Sequence, residues 1–232
     1  MPQNNSINIE KLKSLCDFDG KEYKSKKGAE YIKALSQVFK LKNGNDKPFS
    51  IEEIKKQPEL SHFNFIGVRD FKAICKMKAI PMRIVNEKRI NEKIIVFDFV
   101  NDSAERIFNQ SLGVVYIITC AISGKEYIIK IGSSRTTFKA RLGSYNCGTV
   151  NNWRTASTTN IKILQSFMAT REIFNLYIYD CGAPIAHTWH GIKSVPFASS
   201  LQLAVEDILV KKFIEQFKHK PLANIQANAT EV

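Results

Sequence analysis

The sequence predicts an α+β protein in two parts: a mostly helical first half, and a second half built on a small antiparallel sheet of three strands flanked by helices. Three observations predict it. Apolar residues recur with a helical period at Ala29, Ile32, Leu35 and Phe39. Ser50 precedes Glu53 by three positions, the signature of a capping box. Two β-branched runs after residue 112 flank a Ser-Gly turn. The polar stretch from Asn101 to Ser111 sets the boundary, giving one domain over 1–110 and another over 111–232.

The first helix spans Lys27 to Lys40 and stops at Asn43-Gly44. A second opens at Ser50 and ends before Pro58. A third, from about Ile66 to Met77, carries Val68, Phe71, Ile74 and Cys75 on one side and Arg69, Lys72 and Lys76 on the other. Met82–Val85 and Lys93–Val100 follow as a strand pair. Three helices and a hairpin give the order of a winged helix-turn-helix, whose third helix faces the major groove. The plainer reading of Arg69, Lys72 and Lys76 is a solvated helix face, and the pattern does not choose between the two.

In the second half, Gly113-Val-Val-Tyr-Ile-Ile-Thr119 and Glu126-Tyr-Ile-Ile-Lys-Ile131 read as two strands of one hairpin, the second closed by Gly132. A helix opening near Thr136 or Thr137 places Arg141 and Tyr145 one turn apart, on one face. The last helix runs from Ser199 or Ser200 to about Lys218. Within it Asp207 has Lys211 at i+4, an ordinary ion pair. Glu206 instead shares its face with Leu203, Val210 and Phe213, where a carboxylate is costly unless it binds a cation.

Composition narrows the partner. Thirty-four Lys and Arg against 22 Asp and Glu leave a formal charge of +12, which argues against a generic metabolic enzyme and toward a polyanion, most simply nucleic acid. No apolar run approaches the roughly 20 residues that cross a bilayer, and the N-terminus lacks the pattern of a secretory signal, so a cytoplasmic protein with no membrane partner is expected. The five cysteines contain no C-x-x-C pair and read as reduced, mostly buried thiols. His187 and His190 lack a third ligand for zinc, and Cys147 lacks a partnered histidine and reads as structural.

Taken together, Gly113-Val-Val-Tyr116, Lys130-Ile131-Gly132, Arg141 and Glu206 resemble in order and spacing the signature of the GIY-YIG nucleases. Ser144-Tyr-Asn-Cys-Gly148, Ser157-Thr-Thr-Asn160 and Leu164-Gln-Ser166 extend the resemblance to the small type II restriction endonucleases that cut an interrupted TCNGA palindrome. It covers about residues 111 to 225. The resemblance implies Mg²⁺-dependent hydrolysis of double-stranded DNA by direct water attack, leaving 5′-phosphate and 3′-hydroxyl ends. It also implies one ion per active site with Mn²⁺ able to substitute, a homodimer on a palindromic site, and a cognate DNA methyltransferase in the host.

Roles follow from the resemblance, each with its own chemistry. Glu206 is the protein ligand of a Mg²⁺ otherwise held by water and the scissile phosphate. Tyr116 orients and deprotonates the water while the Lys130 ammonium favours its phenolate, with Lys130 as direct base the alternative. Arg141 binds the non-bridging oxygens with a forked, permanent cation, and Tyr145 binds the same phosphate or the leaving oxygen. Asn224 holds a loop or backbone group. Ser133 stands where several relatives carry histidine, so leaving-group protonation falls to metal-bound water or Tyr145. Base reading is expected from 146–160, with Ser144, Asn146, Arg154, Thr158 and Thr159 as DNA contacts, and Arg69, Lys72 and Lys76 adding phosphate contacts. The rival expectations are a DNA-binding regulatory protein that does not cut, and a homing or repair endonuclease.

Overall fold

Two β-branched runs and a turn that only small residues tolerate organise the second half. In the computed structural model, which describes residues 9–38, 47–86, 88–89, 95–142, 158–182, 188–190, 192–193 and 201–225, these runs pair antiparallel from Val114↔Ser134 to Ile122↔Lys125. Ser123 and Gly124 both take positive φ, 52° and 80°, the conformation that a two-residue hairpin turn requires. The register shifts between Ile118 and Thr119, leaving Ile129 as an extra residue next to Lys130.

Along the chain the described elements are α1 (Ile9–Lys13), β1 (Cys16–Phe18), β2 (Tyr23–Ser25), α2 (Gly28–Val38) and α3 (Ile51–Lys55). After two 3-10 turns, Leu60–His62 and Ile66–Asp70, come β3 (Lys72–Ala79), β4 (Arg83–Val85), β5 (Lys88–Arg89), β6 (Ile95–Phe99) and α4 (Asp102–Gln110). The hairpin is β7 (Val114–Ile122) and β8 (Lys125–Ser134), and α5 covers residues 138–142. The remainder is α6 (Thr158–Thr170), β9 (Ile173–Asp180), β10 (Thr188–Trp189), β11 (Ile192–Lys193) and α7 (Leu201–Phe217).

The chain forms two compact units, and each draws segments from both sides of residue 110. The first comprises Met1–Glu53, Met77–Phe97 and Ser144–Ile173. Its sheet has the order β1-β2-β4-β5. Inside it Tyr31 of α2 donates its buried hydroxyl to Gln165 of α6, and burial holds that phenol well above its ordinary pKa. Arg171, at a positive φ of 56°, donates to the Ser25 carbonyl at 2.9 Å and hydroxyl at 2.6 Å, joining the end of α6 to β2.

The second unit comprises Ile54–Lys76, Asp98–Gly143 and Phe174–Val232. A five-stranded sheet of order β6-β3-β9-β7-β8 belongs largely to it, the unit boundary falling within β3 and β6. One face of the hairpin, carrying Val115, Ile117, Ile128 and Ile131, buries itself with Phe63 against Leu209 and Phe213 of α7. The opposite face carries Tyr116, whose ring stands edge-on to Phe138 of α5 at 5.0 Å. β8 is an edge strand, and the segment after α7 covers part of that edge. The Ala223 N–H donates to the Ile129 carbonyl at 2.9 Å, and the Asn224 carboxamide both accepts from the Ile131 N–H at 3.1 Å and donates to its carbonyl at 2.8 Å.

Several sequence expectations meet correction here. The third helix does not form: Ile66–Asp70 is a 3-10 turn and Lys72–Ala79 is strand β3, so the first half is not a winged helix and not mostly helical. Cys75, Met77 and Ala79 are buried at alternate positions, and that period of two outweighed the looser helical reading of the same residues. Among the described residues, Met82–Val85 and the 95–100 part of the Lys93–Val100 run do not pair with each other. β4 joins β2 and β5, whereas β6 lies beside β3, where the Val100 N–H donates to the Ile74 carbonyl. The polar stretch 101–111 is α4, capped by the Asn101 side chain accepting from the Ala104 N–H at 2.9 Å. The sheet gains two strands from the first half, making five rather than three. α2 buries Tyr31, Ala34 and Leu35; of the Ala29, Ile32, Leu35 and Phe39 stripe the sequence favoured, Leu35 is buried, Ile32 half-buried and Ala29 exposed, and Phe39 lies outside the described residues. The Ser50–Glu53 capping box forms reciprocally, at 2.8 and 3.1 Å.

Candidate functional site

β8 is the element around which the candidate residues gather. Side chains alternate along it, so Lys130 and Gly132 look to one face and Ile131 and Ser133 to the other. Tyr116 pairs with Gly132 and therefore shares the face of Lys130. A Cβ at position 132 would lie 2.6 Å from both the Cζ and the hydroxyl of Tyr116, so any side chain there would force the ring to move. Glycine there lets the phenol approach the strand backbone closely, where it is fully buried.

Lys130 is half-buried, and its ammonium donates to the Ala223 carbonyl at 3.2 Å. The segment that covers the β8 edge thus holds the lysine as well. Asn224, one residue on, grips both backbone groups of Ile131, between Lys130 and Gly132. Its amide fixes the strand that carries the candidate groups.

On the other face, the Ser133 hydroxyl donates to Glu206 Oε2 at 2.5 Å. Glu206 lies half-buried on α7, one turn before Leu209. Its neighbour Asp207 turns outward to its ion pair with Lys211 at 2.8 Å, as the spacing predicts. Position 133 thus carries a neutral donor that occupies one oxygen of the carboxylate.

The expected four-group cluster is therefore divided by a strand. Tyr116 and Lys130 stand on one face of β8, Ser133 and Glu206 on the other, and the strand between them is a single edge strand bearing glycine at 132. Arg141 is half-buried on α5, which begins after Thr137 accepts from the Ala140 N–H at 3.2 Å. Tyr145, Ser144, Asn146, Arg154, Cys147 and His187 lie outside the described residues, as does most of 146–160. Thr158 opens α6, and Thr159 is buried in its first turn, so that hydroxyl is not offered to a groove. Arg69 is exposed on a 3-10 turn, and Lys72 and Lys76 project from strand β3, not from a recognition helix.

Among the described residues no group of three or more His, Cys, Asp or Glu is arranged to hold a metal ion, and no helix is long and apolar enough to cross a membrane. The donor set at Glu206 suits a hard, hydrated cation with one protein ligand, since its second carboxylate oxygen is not taken by Ser133. It does not suit zinc, which takes three or four protein ligands.

No family model matches the chain, and no curated protein does either. Among solved structures, the restriction endonuclease HPY188I in complex with product DNA is similar at 25% identity, over 77% of this chain and 92% of that one, with a TM-score of 0.48.

Proposed function

We propose that this protein is a type II restriction endonuclease of the GIY-YIG kind, which hydrolyses both strands of a specific double-stranded DNA site by direct attack of water and uses Mg²⁺. The observation that carries the reading is the pair of contacts made by consecutive residues of β8. Gly132 lies under the Tyr116 hydroxyl, and Ser133 binds Glu206. Two motif elements more than 70 residues apart in sequence thereby meet two neighbouring positions of an edge strand.

In this reading Glu206 holds the cation, with Ser133 fixing the direction of its carboxylate. The ion would supply positive charge at the scissile phosphate. Tyr116 or Lys130 takes the proton of the attacking water, and the Ala223 carbonyl holds the lysine until substrate displaces it. Arg141 offers a forked cation to the non-bridging oxygens. Asn224 locks the backbone between Lys130 and Gly132. Phosphate binding by the exposed Arg69, Lys72 and Lys76, a homodimer on a palindrome, a cytoplasmic location and a partner methyltransferase belong to the same proposal.

Incubating the purified chain with plasmid DNA and Mg²⁺ tests it. Discrete fragments with 5′-phosphate ends support the reading. An intact plasmid that the protein nevertheless retards in a gel would replace it with a binding protein that does not cut, and nicks without a fixed sequence would replace it with a repair enzyme.

A further inference from the structure

We infer that Gln202 is a further positioning residue of this site, its carboxamide reaching the hydration shell of a divalent cation on Glu206; the inference rests on the metal-ligand reading above. Gln202 lies in the first turn of α7 and is completely buried. Among the described residues neither its amide oxygen nor its amide nitrogen has a hydrogen-bond partner. A buried glutamine with both ends unmet is rare, because each unpaired group keeps its full desolvation cost. Gln165, by comparison, has its oxygen satisfied by Tyr31.

Its position says what would satisfy it. Gln202 and Glu206 are four residues apart and share the stripe of α7 that continues through the buried Leu209 and Phe213. Side chains on a helix lean toward its N-terminus, so the Glu206 carboxylate tilts over the turn that holds Gln202. Ser133 takes Glu206 Oε2 from the β8 side. A hydrated cation on the remaining oxygen would present waters that donate hydrogen bonds, which the amide oxygen accepts. The amide N–H₂ would then donate to an oxygen of the phosphate the cation holds. An apolar residue at 202 would pack as well and satisfy neither group.

The test is Mn²⁺-dependent thermal stabilisation of the full chain, read together with plasmid cleavage. Gln202→Met keeps length and volume but removes both polar atoms. It should leave the metal-free melting temperature equal to or above that of the wild type, weaken Mn²⁺ stabilisation by about tenfold in apparent affinity, and slow cleavage to match. Glu206→Gln should lose the stabilisation altogether. If Glu206→Gln loses it while Gln202→Met keeps full stabilisation and full cleavage, Gln202 is only a buried amide and the inference falls. If Glu206→Gln itself keeps the stabilisation, the metal-ligand reading falls first. Should Gln202→Met fail to fold, Gln202→Glu serves: a second carboxylate should bind Mn²⁺ at least as tightly as the wild type, and weaker binding would overturn the inference.

Discussion

Replacing Gly132 by alanine isolates the closest contact of the site. The new Cβ would meet Tyr116 Cζ and hydroxyl at 2.6 Å and Cε2 at 3.0 Å. Ordinary contact begins near 3.5 Å, so the ring must retreat by roughly 1 Å. Tyr116 is fully buried and backed by Phe138 at 5.0 Å, which leaves little room to retreat. Overpacking of this kind costs about 2 kcal/mol, and for a chain of this size that lowers the melting temperature by about 4–8 °C. On the proposed role of the Tyr116 hydroxyl toward the attacking water, a 1 Å displacement should also cut cleavage about 10²-fold at temperatures where the variant stays folded. The assay is thermal denaturation with cleavage kinetics for Gly132→Ala, Tyr116→Phe and the double variant. Removing the hydroxyl deletes one of the two shortest contacts, so the double variant should be less destabilised than the sum by at least about 0.5 kcal/mol. Wild-type stability of Gly132→Ala, or strict additivity, would refute the argument that the phenol rests on this backbone.

Three other outcomes are expected. Glu206→Gln should abolish plasmid cutting in Mg²⁺ while gel retardation of DNA persists, and retained cutting would remove Glu206 from the chemistry. Asn224→Ala deletes both amide bonds to Ile131 and leaves that residue's edge groups unmet, so it should lower stability in urea by about 1–3 kcal/mol; an unchanged midpoint would show that these two bonds contribute nothing. Burial pushes the thiols of Cys16 and Cys75 up to about 12, so at pH 8 almost none is thiolate, and mass spectrometry should find both unmodified by iodoacetamide until the chain is unfolded. Rapid labelling of either cysteine in the native protein would contradict that burial.

The hairpin was legible because its signals are local. The β-branched runs and the Ser-Gly turn fix pairing and register within about 20 residues, and capping at Ser50–Glu53 and pairing at Asp207–Lys211 act over a single turn. The stretch from Ile66 to Met77 misled because its apolar residues fit a helical stripe and a strand almost equally well. Only the neighbours β6 and β9 supply the hydrogen bonds that make the extended form pay. Asn101–Ser111 misled for the opposite reason. Its polarity suggested a domain boundary and hid a helix, yet Ala104 and Phe108 lie one turn apart behind an asparagine cap, and that signal was present to be read.

The sequence by itself determined which residue types this protein can bring to chemistry: a phenol and an amine on paired strands, a guanidinium on the next helix, a carboxylate spared from the ion pair of its neighbour. Only the tertiary structure decided that Glu206 approaches β8 from the face opposite Tyr116, that Ser133 binds the carboxylate, that Ala223 and Asn224 cover part of the strand edge, and that Gln202 is buried with no hydrogen-bond partner among the described residues. The physical reason is range. Turn, cap and strand alternation are set by neighbours along the chain, whereas the face on which a helix buries its apolar stripe depends on which distant surface is free to receive it.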